Sequence, residues 1–516
     1  MPGQRLLSLV ASLCALLMLG GCSTALKPIA HEPDFRLSSV KDSFITDQRR
    51  MHLAPDSPNT GFQLLNSGRD AFLVRAALIE TADQFIDAQY YIWNNDSTGR
   101  YLAGRLVAAA DRGVQVRLLL DDINVAGKEP LFAAMATHPN IRVRIFNPAR
   151  SRSGVGRWLS LITDFDRINR RMHNKTFVVD GQVGIAGGRN IGDEYFDEHP
   201  SLNFRDRDVM VLGPLAEDMT ANFEAYWNNQ WAYPLATLYD LPDNLAGRDA
   251  LSQLLRETAA DPGIRAVPHQ EQDAAETYLR GWFAGMVQAP GELVFDPPPQ
   301  DPQVPADSPQ NTARALYGLV QAAQSEILIE SAYLILADNQ LDNLGALENQ
   351  PLKVAALTNS LATNDLVTNH SGYARWRREM LEQGIELYEL RPDAPACQHW
   401  VASRPACEQG AVSLHSKAVV FDRETLFIGS FNVNLRSIYL NGETVLIIHS
   451  PELATAVAED IRYAMAPENS WQVSLDEQGD LVWQSTGEQV GHEPGVGFWR
   501  RATSRFLSWL PIEKYL

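Results

Sequence analysis

The sequence predicts an α/β protein made of two similar halves, each a mixed β-sheet flanked by helices. Short apolar runs typical of buried strands alternate with segments of helical periodicity, and this order of elements appears twice along the chain. In addition, 516 residues are too many for one ordinary hydrophobic core. Two domains or two fused halves are therefore expected.

Each element can be placed from its periodicity. In the first half, a buried strand over residues 85–93 precedes a helix with Leu102, Leu106 and Ala109 on one face, and a second buried strand covers residues 114–120. The second half repeats the order, with predicted strands over residues 326–336, 352–357 and 385–390 and a predicted helix over 373–381.

The N-terminus has the pattern of a secretory signal. Arg5 is followed by sixteen uncharged residues and then by Cys22. The string Leu19-Gly20-Gly21-Cys22 resembles the bacterial lipobox, which predicts cleavage before Cys22 and a diacylglyceryl group on it. We therefore expect a lipid-anchored protein of the cell envelope that faces the periplasm, and Ser23 favours the outer membrane over the inner one. The alternative is a cleaved, soluble protein with an incidental cysteine.

Proline content and the repeat set the expected domain boundaries. Seven prolines between Pro290 and Pro309 exclude regular structure there and predict a linker. The predicted segments are a signal peptide (1–21), an N-terminal tether (22–60), the first half (61–235), a connecting region (236–309), the second half (310–465) and a C-terminal extension (466–516).

Two cysteines remain once the signal and Cys22 are set aside. Cys397 and Cys407 lie ten residues apart in a proline-containing loop, which in an oxidising compartment predicts a disulfide. Two unpaired thiols are the alternative. A metal site is less favoured, because only His399 lies close by and two cysteines with one histidine do not complete a tetrahedral set.

Charge excludes some classes of function. The chain has 44 Lys and Arg against 63 Asp and Glu, a net charge of -19. Proteins that coat nucleic acids gain affinity by neutralising phosphates with basic residues, so a nucleic-acid partner is not expected. Beyond the first 25 residues, no run approaches the roughly 18 apolar residues of a spanning helix.

A duplicated motif is the main functional signal. A histidine, a lysine two residues later and an aspartate five residues after that occur twice, followed each time by a glycine and an asparagine and preceded by a tyrosine. Every pair is separated by 242 residues, which is far beyond chance. The pairs are His173 and His415, Lys175 and Lys417, Asp180 and Asp422, Gly187 and Gly429, Asn190 and Asn432, and Tyr91 and Tyr333.

These residue types fit transfer at phosphorus without a metal or another cofactor. In His-x-Lys, both side chains lie on one face of a strand, and the cation lowers the pKa of the imidazole. One histidine can attack phosphorus while the other exchanges protons with the alcohols, and lysine and asparagine donors stabilise the developing charge. Asp206 and Glu443, which precede apolar strands, are expected to orient the imidazoles. The alternative for these two acids is an ordinary position at the start of a strand.

The duplicated motif resembles that of the phospholipase D superfamily and, within it, of bacterial cardiolipin synthases of the cardiolipin synthase C type. The likeness includes Gln89-Tyr90-Tyr91-Ile92-Trp93, Met172-His173-Asn174-Lys175 and Gly429-Ser430-Phe431-Asn432. The first copy departs from the superfamily at Gly187-Gly188, where Gly-Ser is common. The resemblance implies two halves related by a pseudo-two-fold axis. It also implies one active site at their interface that contains both motifs, including Asp180 and Asp422.

The resemblance also implies an activity. A phosphatidyl group would pass through a phosphohistidine to phosphatidylglycerol and give cardiolipin, with phosphatidylglycerol or phosphatidylethanolamine as the donor. The first alternative is a phospholipase D-type hydrolase, in which water replaces the lipid alcohol. The second alternative is a periplasmic nuclease, which the negative net charge disfavours. The third is a catalytically idle scaffold, which the two intact motifs disfavour. The sequence identifies no protein partner.

Two segments have the composition of a membrane interface. Residues 142–175 hold nine basic residues against Asp164 and Asp166, a local net charge of +7, and Trp158 lies among the apolar residues between them. Residues 498–516 combine arginines with aromatic side chains such as Trp499 and Trp509. The alternative for the first segment is a solvated loop that binds the phosphate end of the site.

Overall fold

The computed structural model describes residues 42–149, 164–260, 271–298, 308–337, 352–401, 412–510 and 513–516, together with Leu26, Ile29, Gln340 and Cys407. The predicted signal peptide, Cys22, Ser23 and residues 150–163 of the first basic segment, including Trp158, lie outside the described residues. Within the described ranges, no helix is long and apolar enough to cross a bilayer.

The first half contains a nine-stranded mixed sheet in the order β10-β1-β8-β6-β5-β2-β3-β4-β9. Its parallel pairs are β2–β3 and β3–β4, and the other pairs are antiparallel. The strands of this sheet are β1 (Thr60–Leu65), β2 (Phe85–Tyr90), β3 (Gln115–Asp121), β4 (Ile141–Phe146), β5 (Thr176–Val179), β6 (Val183–Gly187), β8 (Asp208–Leu212), β9 (Ala232–Pro234) and β10 (Val287–Ala289). The short strand β7 (Asn203–Arg205) lies outside it.

The second half contains a ten-stranded sheet in the order β11-β18-β17-β16-β12-β13-β14-β19-β20-β21. The run β18-β17-β16-β12-β13-β14-β19 repeats the run β8-β6-β5-β2-β3-β4-β9 of the first sheet, so the repeat seen in the sequence is a repeat of topology. The strands of this sheet are β11 (Gly291–Phe295), β12 (Glu326–Ser331), β13 (Lys353–Asn359), β14 (Glu386–Leu390), β16 (Lys417–Phe421), β17 (Thr425–Gly429), β18 (Thr444–His449), β19 (Ser470–Leu475), β20 (Leu481–Ser485) and β21 (Glu488–Val490). The short strand β15 (Val412–Leu414) pairs with β7 in a separate two-stranded sheet.

Helices flank both sheets, which confirms the predicted fold class. Many begin at a side-chain cap, as where Ser67 accepts the backbone N–H of Asp70 at 3.0 Å. The helices are α1 (Phe44–His52), α2 (Gly68–Thr81), α3 (Ser97–Asp111), α4 (Glu129–Met135), α5 (Phe165–Ile168), α6 (Pro214–Trp227), α7 (Asn244–Ala260), α8 (Gln272–Ala284), α9 (Asn311–Ala322), α10 (Val367–Glu382), α11 (Cys397–Trp400), α12 (Leu435–Tyr439), α13 (Pro451–Ala464) and α14 (Phe498–Leu507).

One hydrophobic cluster spans the contact between the two halves. Val178 and Val209 of the first sheet belong to the same buried cluster as Leu328 and Leu446 of the second. Buried charges also cross the contact, since Glu330 accepts from the guanidinium group of Arg205 at 2.9 Å. A site between the halves therefore rests on two faces that are fixed against each other.

Several predicted boundaries are wrong. Residues 290–309 were expected to be irregular, yet β11 lies there as an edge strand, because all seven prolines fall outside Gly291–Phe295. The connecting region 236–309 belongs to both halves: β10 pairs with the first sheet and β11 with the second. The extension 466–516 contributes β19 to β21 to the second sheet, and the tether 22–60 contains α1, which packs against α8.

Candidate active site

Each histidine motif is joined to the other half by backbone hydrogen bonds. The N–H of His173 donates to the carbonyl of Gly442, and the N–H of His415 donates to the carbonyl of Arg205, both at 2.8 Å. Next to His415, β15 of the second half pairs in parallel with β7 of the first. The two motifs therefore lie at the contact between the halves, as predicted.

Each imidazole is hydrogen-bonded to a carboxylate from the opposite half. Nδ1 of His173 lies 2.8 Å from Oε2 of Glu443, and Nδ1 of His415 lies 2.5 Å from Oδ2 of Asp206. Both carboxylates are fully buried. A carboxylate on Nδ1 holds the ring in the tautomer that leaves Nε2 available to react. The sequence suggested these two acids as partners but did not show that each serves the histidine of the other half.

The two carboxylates are held in different ways. Glu443 accepts from Ser430 Oγ at 2.5 Å, from Ser437 Oγ at 2.7 Å and from Asn441 Nδ2 at 3.1 Å. Asp206 is one methylene shorter and lies where a side chain at position 188 would be, since a Cβ on Gly188 would come 2.1 Å from its Oδ1. This contact explains why the first copy has Gly187-Gly188 where the second has Gly429-Ser430.

Burial sets the charge state of the centre. It lowers the pKa of both His173 and His415 to about 4, and at His415 the nearby Lys417 adds to the effect. At His173 the attraction of Glu443 partly offsets burial. Burial likewise lowers the pKa of Lys175 to about 7 and that of Lys417 to about 8. The predicted downward shift of the histidines is confirmed in direction, with burial as its first cause.

The lysines are fixed by their own motifs. Lys175 Nζ donates to the carbonyl of His173 at 2.6 Å, and Lys417 Nζ donates in the same way to the carbonyl of His415. Among the asparagines, Oδ1 of Asn190 accepts the N–H of Ile92 at 3.0 Å. Oδ1 of buried Asn432 has no hydrogen-bond partner in the described part of the chain.

Asp180 and Asp422 are not brought to the site, contrary to the prediction. Asp180 follows β5 at its far end, seven residues beyond His173, which corresponds to about 23 Å of fully extended chain. Both aspartates have a positive φ, near 52°, and both cap the start of a neighbouring strand. Their carboxylates accept backbone N–H groups from Asp83, Gln84 and Phe85 in the first half and from Gln324, Ser325 and Glu326 in the second. Their role is structural.

Aromatic rings surround the imidazoles. The ring of Tyr91 lies 5.0 Å from that of His173, and the rings of Tyr195 and Phe204 lie 5.2 Å and 5.1 Å from that of His415. Tyr91 was marked by the repeat, but Tyr195 was missed, because it has no counterpart at the 242-residue offset. These rings restrict the approach to each histidine.

The predicted cysteine pair is bonded. Cys397 and Cys407 have their sulfur atoms 1.97 Å apart. Trp400, inside the same loop, stacks with the guanidinium group of Arg205 at 3.8 Å. The loop therefore contacts the first half as well, beside the carbonyl that binds His415. Among the described residues, no group of three His, Cys, Asp or Glu side chains is arranged to hold a metal ion.

The fold and the site together define a class of protein: two α/β halves that each supply a His-x-Lys motif to one buried centre. Residues 76–227 and 316–465 match the family described as "Cardiolipin synthase, PLD-like domain". The chain belongs to this family.

Individual relatives agree with this assignment. Cardiolipin synthase C of Escherichia coli is 37% identical over 455 residues, which cover 87% of this chain and 94% of that protein. Cardiolipin synthase A of Pseudomonas putida is 30% identical over 244 residues, or 47% of this chain and 48% of that protein. The phosphatidylserine synthase of Haemophilus influenzae has the same fold, with a TM-score of 0.58 at 14% identity over 91% of this chain and all of that one.

Proposed function

We propose that this chain is a phosphatidyltransferase that forms cardiolipin through a phosphohistidine intermediate. The observation that carries the proposal is the pair of buried imidazoles, each oriented at Nδ1 by a carboxylate from the opposite half. Membership of the family and the similarity to the E. coli cardiolipin synthase C over most of its length support the choice of substrates.

In the first step, Nε2 of one histidine attacks the phosphorus of a donor phospholipid. The bond from phosphorus to the headgroup oxygen breaks, and the second imidazole gives its Nε2 proton to the leaving alcohol. We assign the nucleophile to His173 and the acid to His415. The headgroup leaves as glycerol or ethanolamine, according to the donor.

In the second step, His415 takes a proton from a hydroxyl of phosphatidylglycerol. The resulting oxygen nucleophile attacks phosphorus, the phosphorus–nitrogen bond breaks, and cardiolipin forms with His173 returned to its starting state. Lys175 and Lys417 offset the negative charge on the non-bridging oxygens in both steps. Proton, phosphatidyl group and alcohol balance over the cycle.

Binding of the anionic substrate favours the protonated forms of the histidines and lysines in the site. With a pKa of about 4, both imidazoles are neutral in the free protein near pH 7. A bound phosphodiester is an anion, and an anion raises the pKa of nearby histidines and lysines. Binding of the donor therefore favours the protonated acid and the charged lysines where they are needed.

Mass spectrometry of the products from purified protein and defined lipids tests the proposal. Phosphatidylglycerol alone should give cardiolipin and glycerol, and added phosphatidylethanolamine should give ethanolamine if it serves as a donor. His449→Ala, at a half-exposed histidine of the second sheet, is the control for histidine loss. Phosphatidic acid as the main product would instead make the chain a hydrolase.

We propose further that the chain works at an anionic membrane surface in the bacterial envelope. Two observations support a membrane-facing side. Four aromatic side chains on α14 or just after it are between 60% and 80% exposed, namely Phe498, Trp499, Phe506 and Trp509. The two predicted interface segments also contact each other, since the rings of Phe165 and Tyr515 are 4.8 Å apart.

The anchor and the location belong to the same proposal. Lipidated Cys22 would hold the protein on the periplasmic side, with the outer membrane favoured, and the net charge of -19 disfavours nucleic acid as a partner. The mass of the N-terminal peptide from envelope-purified protein tests the anchor. The peptide should begin at Cys22 and carry a diacylglyceryl group. An unmodified Cys22 in protein purified from the envelope would contradict the anchor.

A further inference from the structure

A basic cleft lies outside the histidine centre, between α10 and α14. It encloses about 950 Å³, and its walls include Arg378, His492, Arg501, Arg505 and Trp509. No step of the proposed transfer uses any of these residues. The chain as a whole carries a charge of -19, so a cluster of arginines around one opening is unusual for its composition.

Two further arginines of the cleft are already neutralised. Arg377, which is buried, forms ion pairs with Glu389 at 2.7 Å and Glu493 at 2.5 Å. Arg375 pairs with Glu513 at 2.7 Å. These pairs fix the floor and one wall of the cleft.

The other three arginines lack such compensation. In the described part of the chain, no carboxylate lies within 4 Å of Arg378, Arg501 or Arg505. Arg378 donates to the carbonyl of Gly479, and Arg501 donates to the carbonyl of Glu493 at 3.2 Å, so both are held by neutral acceptors. Three guanidinium groups thus face one opening without a counter-charge, which is a suitable arrangement for a phosphate group.

The border of the cleft is apolar and exposed. Trp509 is 74% exposed and Phe506 is 60% exposed. Phe506 is on α14, which carries Arg501 and Arg505, and Trp509 lies two residues after the end of that helix. A ligand that combines a phosphate with hydrocarbon matches a basic cleft with an aromatic edge. A phospholipid headgroup has this chemistry, whereas free phosphate would use only the arginines.

The cleft is also connected by hydrogen bonds to the segment beside the second histidine motif. Arg500 of α14 donates to the carbonyls of Leu361 at 3.1 Å and Asn364 at 2.6 Å. The same loop begins after Asn359, whose side chain bonds both backbone groups of Leu414, next to His415. These hydrogen bonds connect the helix that lines the cleft to the segment that holds Leu414, the neighbour of His415.

We propose that the cleft between α10 and α14 binds the phosphate group of an anionic phospholipid that is not the reacting one, and thereby docks the protein on the membrane. The inference rests on the membrane-facing part of the proposed function and not on the transfer reaction. Its ligand class is a phosphodiester lipid of net negative charge.

Vesicle flotation of the full chain tests the proposal. The variant Arg378→Gln/Arg501→Gln/Arg505→Gln removes the three uncompensated charges. The matched control, Arg248→Gln/Arg256→Gln/Arg280→Gln, removes three arginines from α7 and α8 of the first half. Circular dichroism and thermal unfolding establish that each variant is folded.

Anionic vesicles of phosphatidylglycerol should bind the cleft variant about 100-fold more weakly than the parent, or roughly fivefold for each arginine. The control should stay within about fivefold of the parent, and purely zwitterionic vesicles should bind all three proteins equally, because the lipid anchor is the same in each and the arginine charges have no anionic headgroups to meet. Equal losses in the cleft variant and the control would overturn the proposal, as would unchanged binding by the cleft variant.

Titration with inorganic phosphate separates the two sources of the ligand. Weak heat release that is the same for parent and cleft variant is expected for a lipid site. Tight phosphate binding that disappears in the cleft variant would assign the cleft to free phosphate and overturn the lipid ligand. Transfer by the parent on dispersed short-chain lipids is measured separately, so a failure of the proposed enzyme activity is distinguishable from a failure of docking.

Discussion

Replacing Glu443 with glutamine should remove the electrostatic support of His173 while keeping the shape of the site. The carboxylate is fully buried and accepts from the imidazole, from Ser430 and from Ser437. A glutamine carbonyl can still accept from Nδ1, but the group carries no charge. The imidazole of His173 therefore loses the anion that stabilises its protonated form. Lys175 loses the same negative charge, which stabilises its charged form.

The size of the effect follows from these contacts. A hydrogen bond to a charged group contributes about 1.5–3 kcal/mol, which corresponds to roughly a 10- to 150-fold fall in kcat. The pKa of His173 should also fall further, because the attraction of Glu443 raises it in the parent. If the glutamine instead presents its NH₂ to the ring, the tautomer is wrong and the fall approaches about 10⁴-fold, as with amide replacements in serine-protease triads.

The assay is the rate of cardiolipin formation by purified, folded protein, with unfolding curves recorded alongside. Ser437→Ala is the matched control, because it removes one hydrogen bond to Glu443 and leaves the charge in place. Its kcat should stay within about tenfold of the parent. A folded Glu443→Gln protein with kcat within about threefold of the parent would refute the reasoning.

Three further predictions concern the turn aspartates, the lysines and the disulfide. Asp180→Ala should lower the free energy of unfolding by about 2–4 kcal/mol, because three backbone N–H groups lose their acceptor in a buried turn, while kcat per folded molecule stays near that of the parent. Asp422→Ala should act in the same direction but cost less, because water can replace its more exposed hydrogen bonds, and denaturant titration with active-site-normalised rates checks both. The kcat/KM for the donor, which reports the free enzyme, should decline as the pH rises through about 7 to 8 and beyond, since Lys175 and Lys417 have lowered pKa values of about 7 and about 8 and lose their charge there. A flat profile of kcat/KM from pH 7 to 10 would contradict this. Thiol alkylation of envelope protein should label the pair Cys397–Cys407 only after reduction, and its removal should cost about 2–3 kcal/mol of stability in the entropic account.

The duplicated part of the molecule could be predicted from the sequence because the signal was internal. A constant offset of 242 residues fixed which residues of the two halves correspond, and the two sheets repeat one order of seven strands. The crosswise pairing of His173 with Glu443 could not be predicted, since it depends on how two distant segments meet in space. Nothing in the local sequence encodes that contact.

Other incorrect predictions, for Asp180, β11 and the C-terminal extension, could have been avoided from patterns that are present in the sequence. Asp180-Gly181 between two apolar runs is a hairpin-turn pattern, which indicates a structural aspartate rather than a catalytic one. The density of prolines concealed β11, although none lies within it. In the predicted C-terminal extension, residues 470–475 alternate Trp471 and Val473 with polar neighbours. This alternation is typical of a strand and indicates β19.

The most direct test of a single shared site is the transfer rate of His173→Ala and His415→Ala, measured separately and then after mixing the two purified proteins. Each variant should lose cardiolipin formation, because the two imidazoles act on the same phosphorus atom from different halves of one chain. Mixing should restore nothing, since both motifs are bound to each other within one molecule. Near-parental transfer by either single variant would contradict the account.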